Sequence, residues 1–231
     1  MQAALRVPCL IGLLCIASAA GATGPVATAA TAGTLTPADF PAAYYRQLAA
    51  QGTNILRVDS TRSLVVIEVH RAGLLSGLGH DHVVASRDVA GYVSVSTGMA
   101  DLYVPLDTLV VDDPGLRTAA GMNTQPSLQD IEGTRRNMLT RTLDTGHFPF
   151  ALIHIARKND ARLEVAITLH GVTRSYAVAA HSETDPRGIS VAGSLSFRQS
   201  DFGITPLAVF GGALKVQDRL DLRFKILALR N

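Results

Sequence analysis

Close to its C-terminal end the chain alternates without a break. Leu220, Leu222, Phe224, Ile226 and Ala228 are apolar, and Arg219, Asp221, Arg223 and Lys225 stand between them. A strand sends successive side chains to opposite faces, so an extended backbone over 217–229 collects the apolar set on one side and the charged set on the other. One face is wet. The other needs a core to cover it.

The same period recurs upstream. Over 63–70, Val65, Ile67 and Val69 share one face, read as the interior, and Leu64, Val66, Glu68 and His70 share the other. A Gly-rich stretch over 73–79 breaks that strand before Val83-Val84 and 91–96 resume it. Further runs cover 101–106, 150–156, 162–169, 174–181 and 189–197, separated by Gly, Pro, Asp or Asn turns. Two segments read differently. Thr36-Pro37-Ala38-Asp39 looks like a helix start, with Phe40, Tyr44 and Leu48 on one face and Gly52 as the stop. Pro126-Ser127-Leu128-Gln129-Asp130 carries a start like a capping box, followed at helical spacing by Ile131, Arg135, Met138 and Leu139. The prediction is an all-β chain with minor α: about eight strands, mostly neighbours in sequence, in an antiparallel arrangement closed into a barrel with one amphipathic helix. Closure removes exposed strand edges, and a barrel of that size can hold one small ligand.

The N-terminus reads as an export leader. A single Arg6 precedes an apolar run over 10–16 and the small residues Ala17-Ser18-Ala19-Ala20, a signal-peptide pattern too short to span a bilayer, which takes roughly 20 apolar residues. We read residues 1–20 as the signal peptide, 21–35 as a flexible Ala/Thr/Gly-rich linker, 36–52 as a short helical extension and 57–231 as the barrel domain. Both cysteines, Cys9 and Cys15, fall in the leader, so the mature chain has no disulfide or thiolate; lipidation at Cys15 is a lesser alternative because Gly12-Leu13-Leu14 lacks the small residue wanted just upstream. The expected location is periplasmic or secreted. The formal net charge of +2 with no basic block gives no electrostatic footprint for nucleic acid or for a membrane surface, and the absence of Trp argues against base-stacking platforms.

Four stretches in order carry a resemblance. They are Arg57-Val58-Asp59, Leu143-Asp144-Thr145-Gly146-His147-Phe148-Pro149, Leu169-His170-Gly171-Val172-Thr173-Arg174, and Phe197-Arg198-Gln199-Ser200-Asp201-Phe202-Gly203-Ile204. Behind a signal peptide, this set resembles the YceI-like, lipid- and polyisoprenoid-binding periplasmic domains, in a variant containing Gly79-His80-Asp81-His82. The resemblance implies a lipocalin-like antiparallel barrel whose lumen takes an isoprenoid chain, a quinone tail or a polyprenyl lipid, as carrier or store, with no bond made or broken. It requires no cofactor and no transmembrane anchor, and leaves a homodimer open.

The lumen candidates are the apolar members of the alternating strands: Val65, Ile67, Val69, Leu195, Phe197, Leu222, Phe224 and Ile226. Each also reads as ordinary barrel filling. A second reading is a zinc- or copper-dependent enzyme or redox partner. His80 and His82 point to one side if extended, and His70 can approach them. Against it, the pair is short of the four ligands of a closed site, and an exposed loop whose histidines bond to backbone or to Asp81 is the preferred reading. A third reading is an interaction module whose barrel is packed and holds no ligand. Arg117, Arg135 and Arg136 are candidates to meet a polar head such as pyrophosphate at the barrel mouth. Asp112-Asp113 before Pro114 reads as a turn, and no nucleophile elbow, P-loop, dinucleotide fingerprint or zincin motif occurs, so no catalytic residues are assigned.

Overall fold

In this computed structural model, residues 36–159 and 161–230 are described. The residues read as leader and linker, and with them both cysteines, lie outside the described residues. In chain order the elements are α1 (Ala42–Ala50), β1 (Ile55–Val58), β2 (Leu64–Ala72), β3 (His82–Ser86), β4 (Ala90–Ser94), β5 (Met99–Pro105), β6 (Val110–Val111), α2 (Pro114–Ala119) and α3 (Leu128–Asn137). After a π-helical turn at Met138–Thr142 come β7 (Phe150–Asn159), β8 (Arg162–Leu169), β9 (Val172–Asp185), β10 (Gly188–Arg198), β11 (Ala208–Val209) and β12 (Leu214–Leu229).

The strands close a ring. Following hydrogen-bonded neighbours, β1, β4, β5, β7, β8, β9, β10 and β12 succeed one another, and β12 pairs back onto β1 through Arg57↔Leu229 and Val58↔Ala228. All these pairings are antiparallel. β2, β3 and β6 continue the same walls: β2 lies along the β12 edge that β1 also occupies, β3 pairs with β2, and β6 with β3. Three of the eight staves are thus interrupted strands, β1 with β2, β3 with β4, and β5 with β6. The fold is a closed eight-stranded antiparallel β-barrel of lipocalin-like form.

Each interruption has a local cause. Between β1 and β2 a helical turn at Ser60–Arg62 is capped by Asp59, whose Oδ1 accepts from the Thr61 N–H at 3.0 Å. Across this gap the buried Ser63 Oγ accepts from the Leu227 N–H at 3.1 Å, and the Asp59 N–H donates to the Leu227 carbonyl at 2.8 Å, so the β12 ladder continues through the break. Between β3 and β4 the Ser86 Oγ accepts from the Asp88 N–H at 3.1 Å. Pro105 ends β5, as a residue that cannot donate to a ladder must.

α1 starts later than the Thr36-Pro37 signal predicts. A helix from Pro37 would need the residue 41 N–H to bond the Pro37 carbonyl, and Pro41 has none, so the Phe40 N–H takes that carbonyl at 3.1 Å and the helix begins at Ala42. The buried face shifts by one residue. Tyr45 is buried and Tyr44 is exposed, contrary to the predicted Phe40, Tyr44, Leu48 stripe. The Tyr45 hydroxyl donates to Asp101 Oδ2 at 2.7 Å, and its ring stacks on Tyr92 at 5.3 Å. Phe40 meets Tyr103 edge-on at 4.8 Å, so α1 and its lead-in seal the outside of β4 and β5. Burial, then the Asp101 carboxylate, pushes the Tyr45 phenol far above its ordinary range.

The predicted turn at 111–115 is instead the start of α2. Asp113 caps it, accepting from the Leu116 N–H at 3.0 Å, and Pro114 takes the first helical position, where a missing N–H costs nothing. α3 has the predicted capping box between Ser127 and Asp130. Its first residue, Leu128, is exposed rather than turned to the barrel, whereas Ile131, Met138 and Leu143 pack onto the core. No helix among the described residues is long and apolar enough to cross a membrane.

Candidate ligand-binding site

Alternation around the ring aims one side chain in two inward, and the inward sets enclose a cavity of about 410 Å³. That lies in the range of small-molecule pockets, roughly 300–1,000 Å³. All eight lumen candidates line it: Val65, Ile67 and Val69 from β2, Leu195 and Phe197 from β10, and Leu222, Phe224 and Ile226 from β12. These strands are neighbours. The register sets Leu222 opposite both Ile67 and Leu195, and Phe224 opposite Val65. The opposite wall, which the sequence reading did not single out, is equally apolar, with Leu102, Val104, Ile153, Ile155, Val165 and Ile167 from β5, β7 and β8. Its strands alternate too, but their outward positions include apolar residues, which blurs the choice of face. The barrel is not filled by its own side chains, unlike the packed barrel of the interaction-module reading.

The two ends differ. The hairpin between β4 and β5 and those after β7 and β9 gather at one end, where Arg157, Asn159, Ser182 and Thr184 line the cavity. Arg157 is the one residue with a permanent charge among the described lining residues. At the other end α3 and the π-helical turn lie by the wall and bring Thr134, Asn137, Met138 and Leu143 to the lumen beside His82. His82 also lines an outer cleft between α3 and residues 78–80, so it stands where the lumen meets the surface.

Behind His82 is a buried ionic chain. Its Nδ1 is 2.6 Å from Asp112 Oδ2, and the Asp112 side chain has no exposed surface. An ionised carboxylate only accepts, so Nδ1 carries the proton. Asp112 Oδ1 also accepts from the Val83 N–H at 3.0 Å and from Arg117 Nη1 at 2.5 Å. Arg117 in turn donates to the Asp81 carbonyl at 2.7 Å and to the Thr124 carbonyl and hydroxyl at 2.5 and 3.0 Å. Asp112 sits at φ 58°, a left-handed backbone that Asp tolerates better than most residues. Burial alone drives its carboxyl upward, but the hydrogen bonds from His82 and Val83, the His82 charge and Arg117 together hold it below the usual aspartate value.

Arg117 and Arg135 are not at the mouth awaiting an anion: Arg117 is buried in this chain of contacts, and Arg135 donates to the Leu109 carbonyl at 3.2 Å and to the Asp107 carbonyl. Arg136 lines the outer cleft with His82, beside Glu132 at 3.8 Å. The three histidines do not converge either. Val69 pairs with His82 and both face the lumen, which puts His70 on the outer face, near Asp81 at 3.7 Å and Glu68 at 3.9 Å. His80 lines the outer cleft with a buried, unpartnered Nδ1. Among the described residues no three His, Cys, Asp or Glu side chains gather as a metal ion would need.

The motif stretches set the ends of the barrel. Phe197 and the fully buried Phe202 meet edge-on at 5.6 Å and pack with Ile204 against β9 and β12. His170 and Gly171, both at positive φ, turn β8 into β9, and a Cβ on Gly171 would fall 2.8 Å from the Phe148 ring.

The family model for the YceI-like domain matches residues 57–228. Among solved structures, the chain resembles a polyisoprenoid binding domain from Saccharophagus degradans implicated in plant cell wall breakdown, with 12% identity, a TM-score of 0.54, and coverage of 78% of this chain and 99% of that one. It is also similar to BcnA of Burkholderia cenocepacia, with 12% identity and a TM-score of 0.48 over 74% of this chain and 98% of that one. A Campylobacter jejuni YCEI protein shares 13% identity over 62% of this chain and 82% of its own length, with a TM-score of 0.41. No curated protein sequence matches the chain.

Proposed function

The chain belongs to the YceI-like family, and from that premise we propose that it is an exported carrier or store that holds an isoprenoid chain, such as a quinone tail or polyprenyl lipid, in its barrel. The observation that carries this reading is the continuous apolar lumen of about 410 Å³ inside a ring whose outer positions on β12 are charged. An apolar chain of several isoprene units gains about 0.8 kcal/mol for each buried methylene, enough to exceed the roughly 4–15 kcal/mol that association costs. The proposed role is binding and release, with no bond made or broken. Residues 1–20, read as a leader, deliver the barrel to an aqueous compartment where a free isoprenoid chain is insoluble.

Organic extraction of the mature protein purified from its native host, followed by mass spectrometry, tests it. The expected result is a stoichiometric prenyl-chain lipid. A clean extract overturns the reading.

A further inference from the structure

At the α3 end of the lumen the geometry points to a head-group site for an uncharged, hydrogen-bonding end of the ligand: an alcohol, a quinone carbonyl or a quinol hydroxyl. This deepens the isoprenoid reading and rests on it. His82 is held from behind by the shielded Asp112 at 2.6 Å, and its other ring nitrogen has no hydrogen-bond partner among the described residues. A neutral ring with its proton on Nδ1 offers Nε2 as an acceptor to a ligand hydroxyl; a protonated ring offers it as a donor to a carbonyl. Thr134 and Asn137, nearly one helical turn apart on α3, line the same end and add a hydroxyl and an amide. Charge selects the class of head. The Arg117 cation is already matched by Asp112, Arg135 is spent on backbone carbonyls, and Arg157 is at the far end. Arg136 does line the outer cleft with His82, but beside Glu132 at 3.8 Å and with Asp130 on the same cleft, so its charge is already outnumbered by carboxylates. A pyrophosphate here would trade water for a site with no spare cation, a large cost, whereas a neutral head exchanges a few hydrogen bonds.

Calorimetric titration of delipidated protein with geranylgeraniol and with geranylgeranyl pyrophosphate tests the site. The alcohol should bind about tenfold more tightly or better. His82→Leu and, separately, Asn137→Leu should weaken the alcohol by roughly two- to tenfold, the value of one hydrogen bond, and leave the pyrophosphate unchanged; His82→Gln should recover part of the loss. Tighter binding of the pyrophosphate, or an alcohol affinity indifferent to both leucine variants in folded protein, overturns the head-group site while the lumen reading stands. Binding of neither probe overturns the lumen reading and this site with it.

A separate observation concerns the rim at the same end. Leu74, Leu78, Leu128 and Phe210 are 96%, 74%, 86% and 74% exposed. Their loops adjoin: the Leu75 N–H donates to the Ala213 carbonyl at 2.8 Å, and Leu78 and Leu128 line one cleft with His82, which also reaches the lumen. The two stretches that carry Leu74, Leu78 and Phe210, residues 72–79 and 202–216, contain no carboxylate and include Lys215, whereas Leu128 shares its cleft with Asp130 and Glu132 and stands at the margin of the patch. We infer that this rim docks on the surface of an anionic phospholipid bilayer, with leucine and phenylalanine tips entering the headgroup layer and the lumen mouth facing the lipid. Sedimentation with phosphatidylglycerol/phosphatidylethanolamine vesicles should retain the wild-type protein, and Leu74→Ser/Leu78→Ser/Phe210→Ser should lose at least tenfold in retention with an unchanged circular dichroism spectrum. Absence of wild-type binding, or equal binding by the triple variant, overturns it.

Discussion

Replacing Asp112 by Asn isolates the worth of the buried charge behind His82. Asn is close to the same size and accepts a left-handed backbone, so neither packing nor φ 58° supplies a reason for the loss. What changes is Arg117, itself buried, whose guanidinium keeps the carbonyls of Asp81 and Thr124 but loses its counter-charge at 2.5 Å. Breaking a buried pair from one side costs about 3–5 kcal/mol, a large part of the roughly 5–15 kcal/mol that holds a domain together. The double variant Asp112→Asn/Arg117→Met removes both charges and should be more stable than the sum of the two single losses by about 1–3 kcal/mol. Urea unfolding at neutral pH measures all four corners of the cycle, with equal slopes showing that the unfolded surfaces match. An Asp112→Asn loss below about 1 kcal/mol, or strictly additive losses, refutes the assignment of a stabilising buried pair. The same carboxylate fixes the acid limit of this contribution. Its folded pKa lies below the ordinary aspartate value, so the unfolded chain takes up the proton first; the contribution is whole above about pH 4 and fades as pH falls through the folded value.

Three further outcomes follow from the geometry. Ile153→Trp, in the middle of the apolar wall opposite β2, should leave the fold in place at a cost within about 1–3 kcal/mol and abolish retention of the prenyl ligand through purification, read by the same lipid extraction. Elemental analysis of purified protein should show less than one equivalent of zinc or copper, unchanged by His80→Ala/His82→Ala, because His82 Nδ1 is committed to Asp112 and His70 lies on the opposite face; a stoichiometric metal lost in the variant would restore the metal reading. In an alkaline absorbance titration of the five tyrosines, Tyr45 and Tyr176 should ionise last, both raised chiefly by burial; since the unfolded phenols release their protons first, stability falls as pH climbs above about 10.

The ring and its wet and dry faces were legible because period two is a local property of a strand. Leu222 and Phe224 can be assigned to the lumen with no knowledge of Ile67 or Leu195, which they meet only on folding. The strand breaks were half legible. The glycines over 73–79 announce one, but Ser63 completing a ladder with Leu227 depends on a residue 164 positions away. Asp112 shows the limit most clearly. Locally, Asp-Asp-Pro reads as a turn, and Asp113 does cap a helix there, yet Asp112 acts through His82, 30 positions earlier, and through a φ that composition does not encode. Arg117 misled for a related reason: charge predicts exposure unless a partner is known, and its partner was read as part of that turn. Tyr44 and Tyr45 are adjacent on one helix, so a one-residue shift in its start, forced by Pro41, exchanged the buried ring for the exposed one.

The last strand along the described chain, β12, is also the one that joins the two halves of the wall, bonded over Arg219–Leu229 to β10 on one side and to β2 and β1 on the other. A chain lacking it is an open sheet with two sticky edges and no inside. The interior therefore closes only once Leu229 is available, and cannot be filled while the polypeptide is still being made. On the proposed lipid-binding role, loading is then a transaction between a finished barrel and its surroundings.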